Sequence, residues 1–199
     1  MQEVLNNIKN AFLETTLLEW IAVLTGTLYV ILISYKQIIA WLFALISSLL
    51  YVYICFNYQL YLESFLQVFY VAMAVFGWIN WKKETTNGMI IKWPLKNHIV
   101  NIVLSTILTL ILGFTFSKFT NQANPYTDAF TTVFSLTATF MVTKRVLENW
   151  IYWIIIDGVS IFLYSSRSLY LTSVLFFIFT TIAVFGYLKW KREFKIQTI

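Results

Sequence analysis

The chain has 199 residues, of which 59% are hydrophobic and 12% charged, with a mean hydropathy of +0.73. A water-soluble domain of this length could not cover so much apolar surface with polar groups, which makes lipid the natural solvent. The net charge of +5 does not mark a nucleic-acid-binding face, because the basic residues sit in short segments between apolar blocks.

Residues 1–14 are too polar to span a membrane. Val4, Leu5, Ile8, Ala11 and Phe12 fall at helical spacing, which predicts a short interfacial helix. No basic segment precedes the first apolar block, so a signal peptide is not expected. Seven apolar blocks follow, predicted at Leu17–Ser34, Ile38–Asn57, Tyr61–Trp81, Ile99–Ser117, Asp128–Thr143, Asn149–Ser166 and Leu169–Trp190. Such lengths cross a hydrocarbon core of ~30 Å as helices. Pro94 and Pro125 both fall between blocks. Trp20, Trp78, Trp81 and Trp190 lie near predicted helix ends, where interfacial aromatics belong. Cys55 and His98 are the only residues of their kinds, which argues against an intrachain disulfide and against a zinc or di-metal centre built on histidines. No cofactor is expected.

Lys and Arg set the orientation. Lys9, Lys118 and Arg167 fall on one side of the predicted topology. Lys36, Lys82, Lys83, Lys92, Lys96, Lys144, Arg145, Lys189, Lys191, Arg192 and Lys195 fall on the other. The positive-inside rule puts the larger group in the cytoplasm, with the N-terminus outside and the C-terminus inside. That arrangement needs an odd number of spans, and seven fits.

The sequence repeats at an offset of 109 residues: positions 60–84 and 169–193 share 12 of 25 identities, including AVFG at Ala74–Gly77 and Ala183–Gly186. Upstream, Trp41 falls on Trp150 and Glu19 on Asp128. Both repeats end in a basic cluster and so share one orientation, which requires a single reversing span between them. The predicted fold is therefore all-α, with seven transmembrane helices in a 3+1+3 parallel pseudo-repeat. Its segments are an interfacial helix (1–16), a first three-helix repeat (17–83), a linker with the fourth span (84–126), a second repeat (127–193) and a cytoplasmic tail (194–199). Parallel repeats of this kind are a transporter plan, with substrate held near the midplane between the halves.

A ligand without symmetry is best sought where the halves differ. Asp157 aligns with Ser48, Trp153 with Ala44, Gln67 with Phe176 and Glu63 with Thr172. Asp157 stands mid-span, where a carboxylate costs ~3 kcal/mol even on insertion scales. Its alternative role is in helix packing, protonated or bonded to a nearby serine. Trp150, Trp153, Asp157 and Tyr164 share one helical stripe. Two indoles and a phenol beside a carboxylate suit a flat cationic ligand. Glu63, Gln67, Tyr70, Trp78 and Trp81 form a similar face on the third span, where Gln67 could bond a carboxamide or a ribose hydroxyl, or bridge two helices. Glu63 lies near the outer end of its span and could simply reach water. The candidate site is thus Trp150, Trp153, Asp157, Gln67, Tyr164, Tyr70, Glu63 and Trp41. No G-x-x-x-x-G-K-[ST] motif and no acidic chain across the membrane is present, so facilitated diffusion by alternating access is the simplest mechanism.

The stretches Leu60–Trp81 and Thr143–Tyr164, with the W-x-x-W-x-x-x-D of Trp150, Trp153 and Asp157, resemble the PnuC family of vitamin transporters. The resemblance runs from about Glu19 to Trp190. It implies a multi-pass protein of the bacterial inner membrane, folded like a full-length SWEET sugar transporter and assembled as a homotrimer. It further implies passive uptake of nicotinamide riboside, trapped by a cytosolic kinase, with Trp150, Trp153, Asp157 and Gln67 lining the site. The family's nicotinamide riboside carriers have Asn where this chain has Asp157, and related branches carry thiamine or riboflavin. The aspartate fits either aromatic cation, nicotinamide riboside or thiamine, better than neutral riboflavin. Two other classes stay open: an intramembrane enzyme pairing Asp157 with Glu63 or Asp128, and a membrane-embedded binding subunit of an ATPase-driven importer.

Overall fold

The structure, a computed structural model, describes residues 2–58, 61–83, 88–120 and 124–198, without the side chains of residues 2, 3, 61–63 and 65. Apart from one isolated bridge between Ile91 and Val146, the regular secondary structure of these residues is helical. Eight helices follow in order: α1 (Gln2–Glu14), α2 (Leu17–Ser34), α3 (Ala40–Asn57), α4 (Tyr61–Lys83), α5 (Leu95–Phe119), α6 (Pro125–Thr143), α7 (Asn149–Ser166) and α8 (Tyr170–Gln197).

The ends of α2 and α7 fall where hydropathy places them. Thr16 opens α2 with a capping box, its hydroxyl accepting from the Glu19 N–H while the Glu19 carboxylate accepts from the Thr16 N–H. α6 begins at Pro125 rather than Asp128, because a proline suits the first turn, where its missing N–H costs nothing. α8 continues past Trp190 to Gln197. Its last residues are too polar for hydrocarbon yet propagate a helix readily, so the predicted tail is helical for most of its length.

α2, α3, α5 and α8 are each long and apolar enough to cross a membrane. α6 and α7 carry buried polar groups instead, among them Ser135, Thr139, Asn149, Asp157 and Ser160. These groups are buried from lipid, and several bond locally: Thr139 to the Ser135 carbonyl, Asn149 to the Val146 carbonyl and Ser160 to the Ile156 carbonyl. α2 packs on α3 and α3 on α4; α6 packs on α7 and α7 on α8. These two groups meet where α2 touches α8 and α4 touches α6, while α5 packs on α6 and α1 on α8. α5 approaches α6 closely through Ser105, Thr109 and Gly113, with the Ser105 and Thr137 hydroxyls 3.3 Å apart. Its other face shows Ile99, Val103, Leu110 and Phe114, a patch that only lipid or protein could cover.

The core lies at the end of the bundle that carries the basic clusters, and its contacts recur at residues 109 apart. Trp41 meets Trp81 edge-on at 5.4 Å between ring centroids, and Trp150 meets Trp190 at 5.4 Å. Ser64 donates to the Val52 carbonyl at 3.1 Å, and Ser173 to the Ile161 carbonyl at 3.1 Å. Trp81 on α4 donates its indole N–H to the Thr143 carbonyl on α6 (3.2 Å), while Trp190 on α8 donates to the Ser34 carbonyl on α2 (3.1 Å). Each group of helices therefore bonds the last turn of the other's first helix.

These bonds correct the interfacial reading of two tryptophans. Trp81 is 5% exposed and Trp190 is 0% exposed, because their N–H groups find partners inside the bundle rather than at a headgroup layer. Trp78 is half-buried; Trp20 is half-buried and packs edge-on against Phe12 of α1. Replacing Trp190 with Phe keeps an aromatic ring and removes the donor. Thermal melts in detergent should show a loss of about 1 kcal/mol, and Trp81→Phe should match it. Very unequal losses would mean that the two bonds are not equivalent.

α2 and α6 end alike. Gln37 N–H reaches the Leu32 carbonyl (3.0 Å) and Val146 N–H the Met141 carbonyl (3.0 Å), with Lys36 and Arg145 in the left-handed region at φ 54° and 52°. Both side chains then reach into the other group of helices. Lys36 pairs with Glu193 at 2.6 Å, and the Arg145 guanidinium lies 4.4 Å from the Trp81 ring centroid. Burial pulls the Arg145 pKa below its ordinary value, and the ring face offsets part of that cost. The segment before α5 is fastened nearby. Ile91 N–H donates to the Arg145 carbonyl (3.1 Å) and Leu147 N–H to the Ile91 carbonyl (2.8 Å). Ile90 N–H donates to Gln197 and Trp93 N–H to Glu148.

Candidate functional site

Asp157 lies in the middle of α7 and is 3% exposed. Among the described residues no hydrogen-bond donor and no cation meets its carboxyl. No bond joins it to Ser160 one turn on, which spends its hydroxyl on the Ile156 carbonyl. Tyr70 of α4 comes within electrostatic reach of Asp157 and of Tyr164, and it faces Ser135 of α6. Tyr29 of α2 lies beside Tyr70, and Tyr51 of α3 reaches toward Tyr164. The Tyr164 ring also stacks on Phe176 of α8, with centroids 5.1 Å apart and planes 10° off parallel. A carboxyl, several phenols and a serine hydroxyl thus converge between the two groups of helices. Tyr70 of α4 links the carboxyl on α7 to Ser135 on α6.

The remaining sequence-predicted residues sit in different surroundings. Trp150 is 2% exposed and Trp41 is 1% exposed. Each lies flat against a glycine: Gly186 for Trp150 and Gly77 for Trp41. Their indole N–H groups are buried and have no acceptor among the described residues. Two unpaired buried donors at matched positions are costly unless a ligand or water uses them. Trp153 is half-buried against the same core. Gln67 is half-buried on α4, one turn before Tyr70, and no hydrogen bond joins it to Asp157 among the described residues. The Glu63 side chain lies outside the described residues. Asp128, the other proposed carboxylate partner, pairs with Arg167 at 2.5 Å near the ends of their helices.

A groove of ≈ 250 Å³ runs between α3 and α4, lined by Trp41, Leu42, Leu45, Ala74, Val75 and Trp78. It has no charged group, and Leu42 and Val75 are exposed, so an acyl chain suits it better than a cation. Tyr29, Tyr51 and Ser135 were absent from the sequence-predicted site. They align with Ala138, Ser160 and Gly26 at the offset of 109, so a comparison of every polar position in the two halves would have exposed them.

An all-helical bundle with apolar outer helices and an uncompensated polar cluster between two groups of helices defines a multi-pass membrane transporter. The chain belongs to the nicotinamide mononucleotide transporter family, whose model matches residues 16–192. The family is one of transporters, which sets the intramembrane-enzyme reading aside. The chain is 27% identical to the nicotinamide riboside transporter PnuC of Escherichia coli (strain K12), over 87% of this chain and 84% of that protein. It is 25% identical to the protein of the same name from Neisseria mucosa, over 88% of this chain and 72% of that one. The crystal structure of the vitamin B3 transporter PnuC superposes with a TM-score of 0.74 at 23% identity, covering 96% of this chain and 90% of that one. This last likeness speaks to the fold.

Proposed function

We propose that this chain takes up nicotinamide riboside across the bacterial inner membrane by alternating access, with the cation held beside Asp157. The carrying observation is a carboxyl 3% exposed, without a hydrogen-bond or ion-pair partner among the described residues, and within electrostatic reach of the Tyr70 phenol. A cationic pyridinium supplies the missing charge, and tyrosine and tryptophan faces add cation–π attraction. Trp150, Trp153, Gln67, Tyr164, Tyr70, Glu63 and Trp41 complete the proposed site. Names in the family include both the mononucleotide and the riboside, and electrostatics favours the riboside. Every lysine and arginine lies in a loop, in α1, in the first turn of a helix or within the last nine residues of one, so none is placed to offset a phosphate beside Asp157.

The proposed topology is seven spans, α2 to α8, in a 3+1+3 arrangement with α5 as the unmatched span. The paired contacts 109 residues apart support the repeat. Eleven of the 14 basic residues gather at one end, which favours a cytoplasmic C-terminus. A homotrimer and trapping by a cytosolic kinase complete the reading. Thiamine, another aromatic cation, is the second reading that Asp157 favours.

The protein alone, reconstituted in liposomes loaded with a nicotinamide riboside kinase and ATP, should accumulate labelled nicotinamide riboside. Thiamine accumulation instead would move the substrate. Absence of uptake and of binding for both would end the proposal, and uptake only with an added ATPase would favour the binding-subunit class.

A further inference from the structure

The groove between α3 and α4 owes its shape to two small residues. Gly77 lets the Trp41 indole lie against α4, and Ala74 one turn earlier adds only a methyl, so a recess remains between the helices. Its floor is buried at Trp41 and Ala74, while Leu42 and Val75 on its rim are exposed. Only six side chains line it, against the ~20–30 residues a side of a specific protein interface. A second copy of this chain is therefore a poor occupant. A volume of ≈ 250 Å³ without a charged group is also smaller and less polar than a vitamin needs. Hydrocarbon fits it.

The groove lies at the end of the bundle that carries the basic clusters: Trp41 stands in the first turn of α3, and Trp78 one turn before Lys82 near the end of α4. Ala74, Val75, Trp78 and Lys82 fall at i, i+1, i+4 and i+8, on one face of that helix. The matched pair on α8, 109 residues later, shows how far such a lysine reaches. There the Lys191 ammonium lies 5.5 Å from the Tyr187 ring centroid. Lys82 is exposed, and the same reach brings its ammonium to the groove mouth over Trp78. A slot for hydrocarbon beneath a cation complements a molecule with an acyl chain and a negative headgroup. We propose that the α3–α4 groove is a binding site for one anionic phospholipid of the leaflet at the basic end. An acyl chain lies in the slot, Trp78 packs on its first methylenes, and the phosphate sits on Lys82. The lipid thereby fills the gap that Gly77 and Ala74 leave and ties α3 to α4.

The test titrates the full chain in detergent with phosphatidylglycerol or phosphatidylcholine carrying brominated acyl chains, which quench tryptophan on contact. The part of the quenching that Trp78→Phe removes reports the groove. It should reach its midpoint at about fivefold less phosphatidylglycerol than phosphatidylcholine, the preference that one lysine gives an anionic headgroup. Lys82→Gln should erase that preference and leave phosphatidylcholine unchanged. Val75→Phe, on the exposed rim, should fill the slot and weaken both lipids. Equal midpoints for the two lipids in the wild type, or a preference that survives Lys82→Gln, would overturn the site. So would quenching that Trp78→Phe leaves whole, which would put the lipid elsewhere. Glycerol phosphate, the headgroup without chains, should not compete; competition would mean an anion site and overturn the lipid. If Trp78→Phe does not fold, native mass spectrometry decides: the wild type should retain one phosphatidylglycerol per chain that Lys82→Gln loses, and equal retention overturns the proposal. Trp78, Lys82 and Val75 lie outside the proposed vitamin site, so failure here leaves the substrate reading standing.

Discussion

Asp157→Ala should cost about 2–4 kcal/mol of nicotinamide riboside binding, roughly a 30- to 1,000-fold loss, because truncation leaves a desolvated cation facing no countercharge. The reduced, uncharged form of the riboside has nearly the same shape and no pyridinium charge. Its affinity should fall far less. Titration calorimetry or tryptophan quenching on the detergent-solubilised protein reads both values. Equal losses for the two ligands would remove charge pairing as the reason Asp157 occupies the middle of α7 and leave it a packing residue.

The second large effect is expected at two glycines. A Cβ on Gly77 would stand 2.5 Å from carbons of the Trp41 indole, and one on Gly186 would stand 2.7 Å from the Trp150 ring. Neither ring can retreat, since Trp41 is 1% and Trp150 2% exposed, and each is wedged edge-on against a second tryptophan. Gly77→Ala and Gly186→Ala should each destabilise the protein by about 1–3 kcal/mol, as overpacking of a filled core does. Gly186→Ala should also weaken substrate binding by tilting Trp150. Gly158→Ala is the control: nothing lies within 4 Å of its Cβ position, so the added methyl should be tolerated and should favour the helix. Thermal unfolding in one detergent ranks the three variants. If Gly186→Ala melts with Gly158→Ala, the ring does not rest on the glycine as described.

Much of this architecture was legible before any coordinates. The apolar blocks are bounded by polar residues and turn signals, so α2 and α7 fell at their observed ends. Asp157 was legible because a carboxylate inside an apolar run has so few bland explanations. The ends of α6 and α8 were less so: hydropathy reports where the hydrocarbon lies, while Pro125 and the charged turn around Lys195 report where the helix runs. Trp81 and Trp190 show the harder limit. Their places at the ends of apolar blocks are plain in the sequence, but which carbonyl an indole will find depends on how one group of helices is set against the other. Tyr29, Tyr51 and Ser135 were overlooked for a related reason. A tyrosine in an apolar helix resembles an interfacial anchor until the helices facing it are known.

The fastening of Ile91 between Arg145 and Leu147, with Ile90 held by Gln197 and Trp93 by Glu148, ties the approach to α5 to residues that follow it in the chain. α5 itself rests on α6 among the described helices. α5 is therefore fastened to the later helices rather than standing as a hinge between equals. Two masses of unequal size would rock against one another, three helices against four. A cysteine bridge joining residues 91 and 147 should leave transport untouched, whereas one joining residues 36 and 193 should halt it.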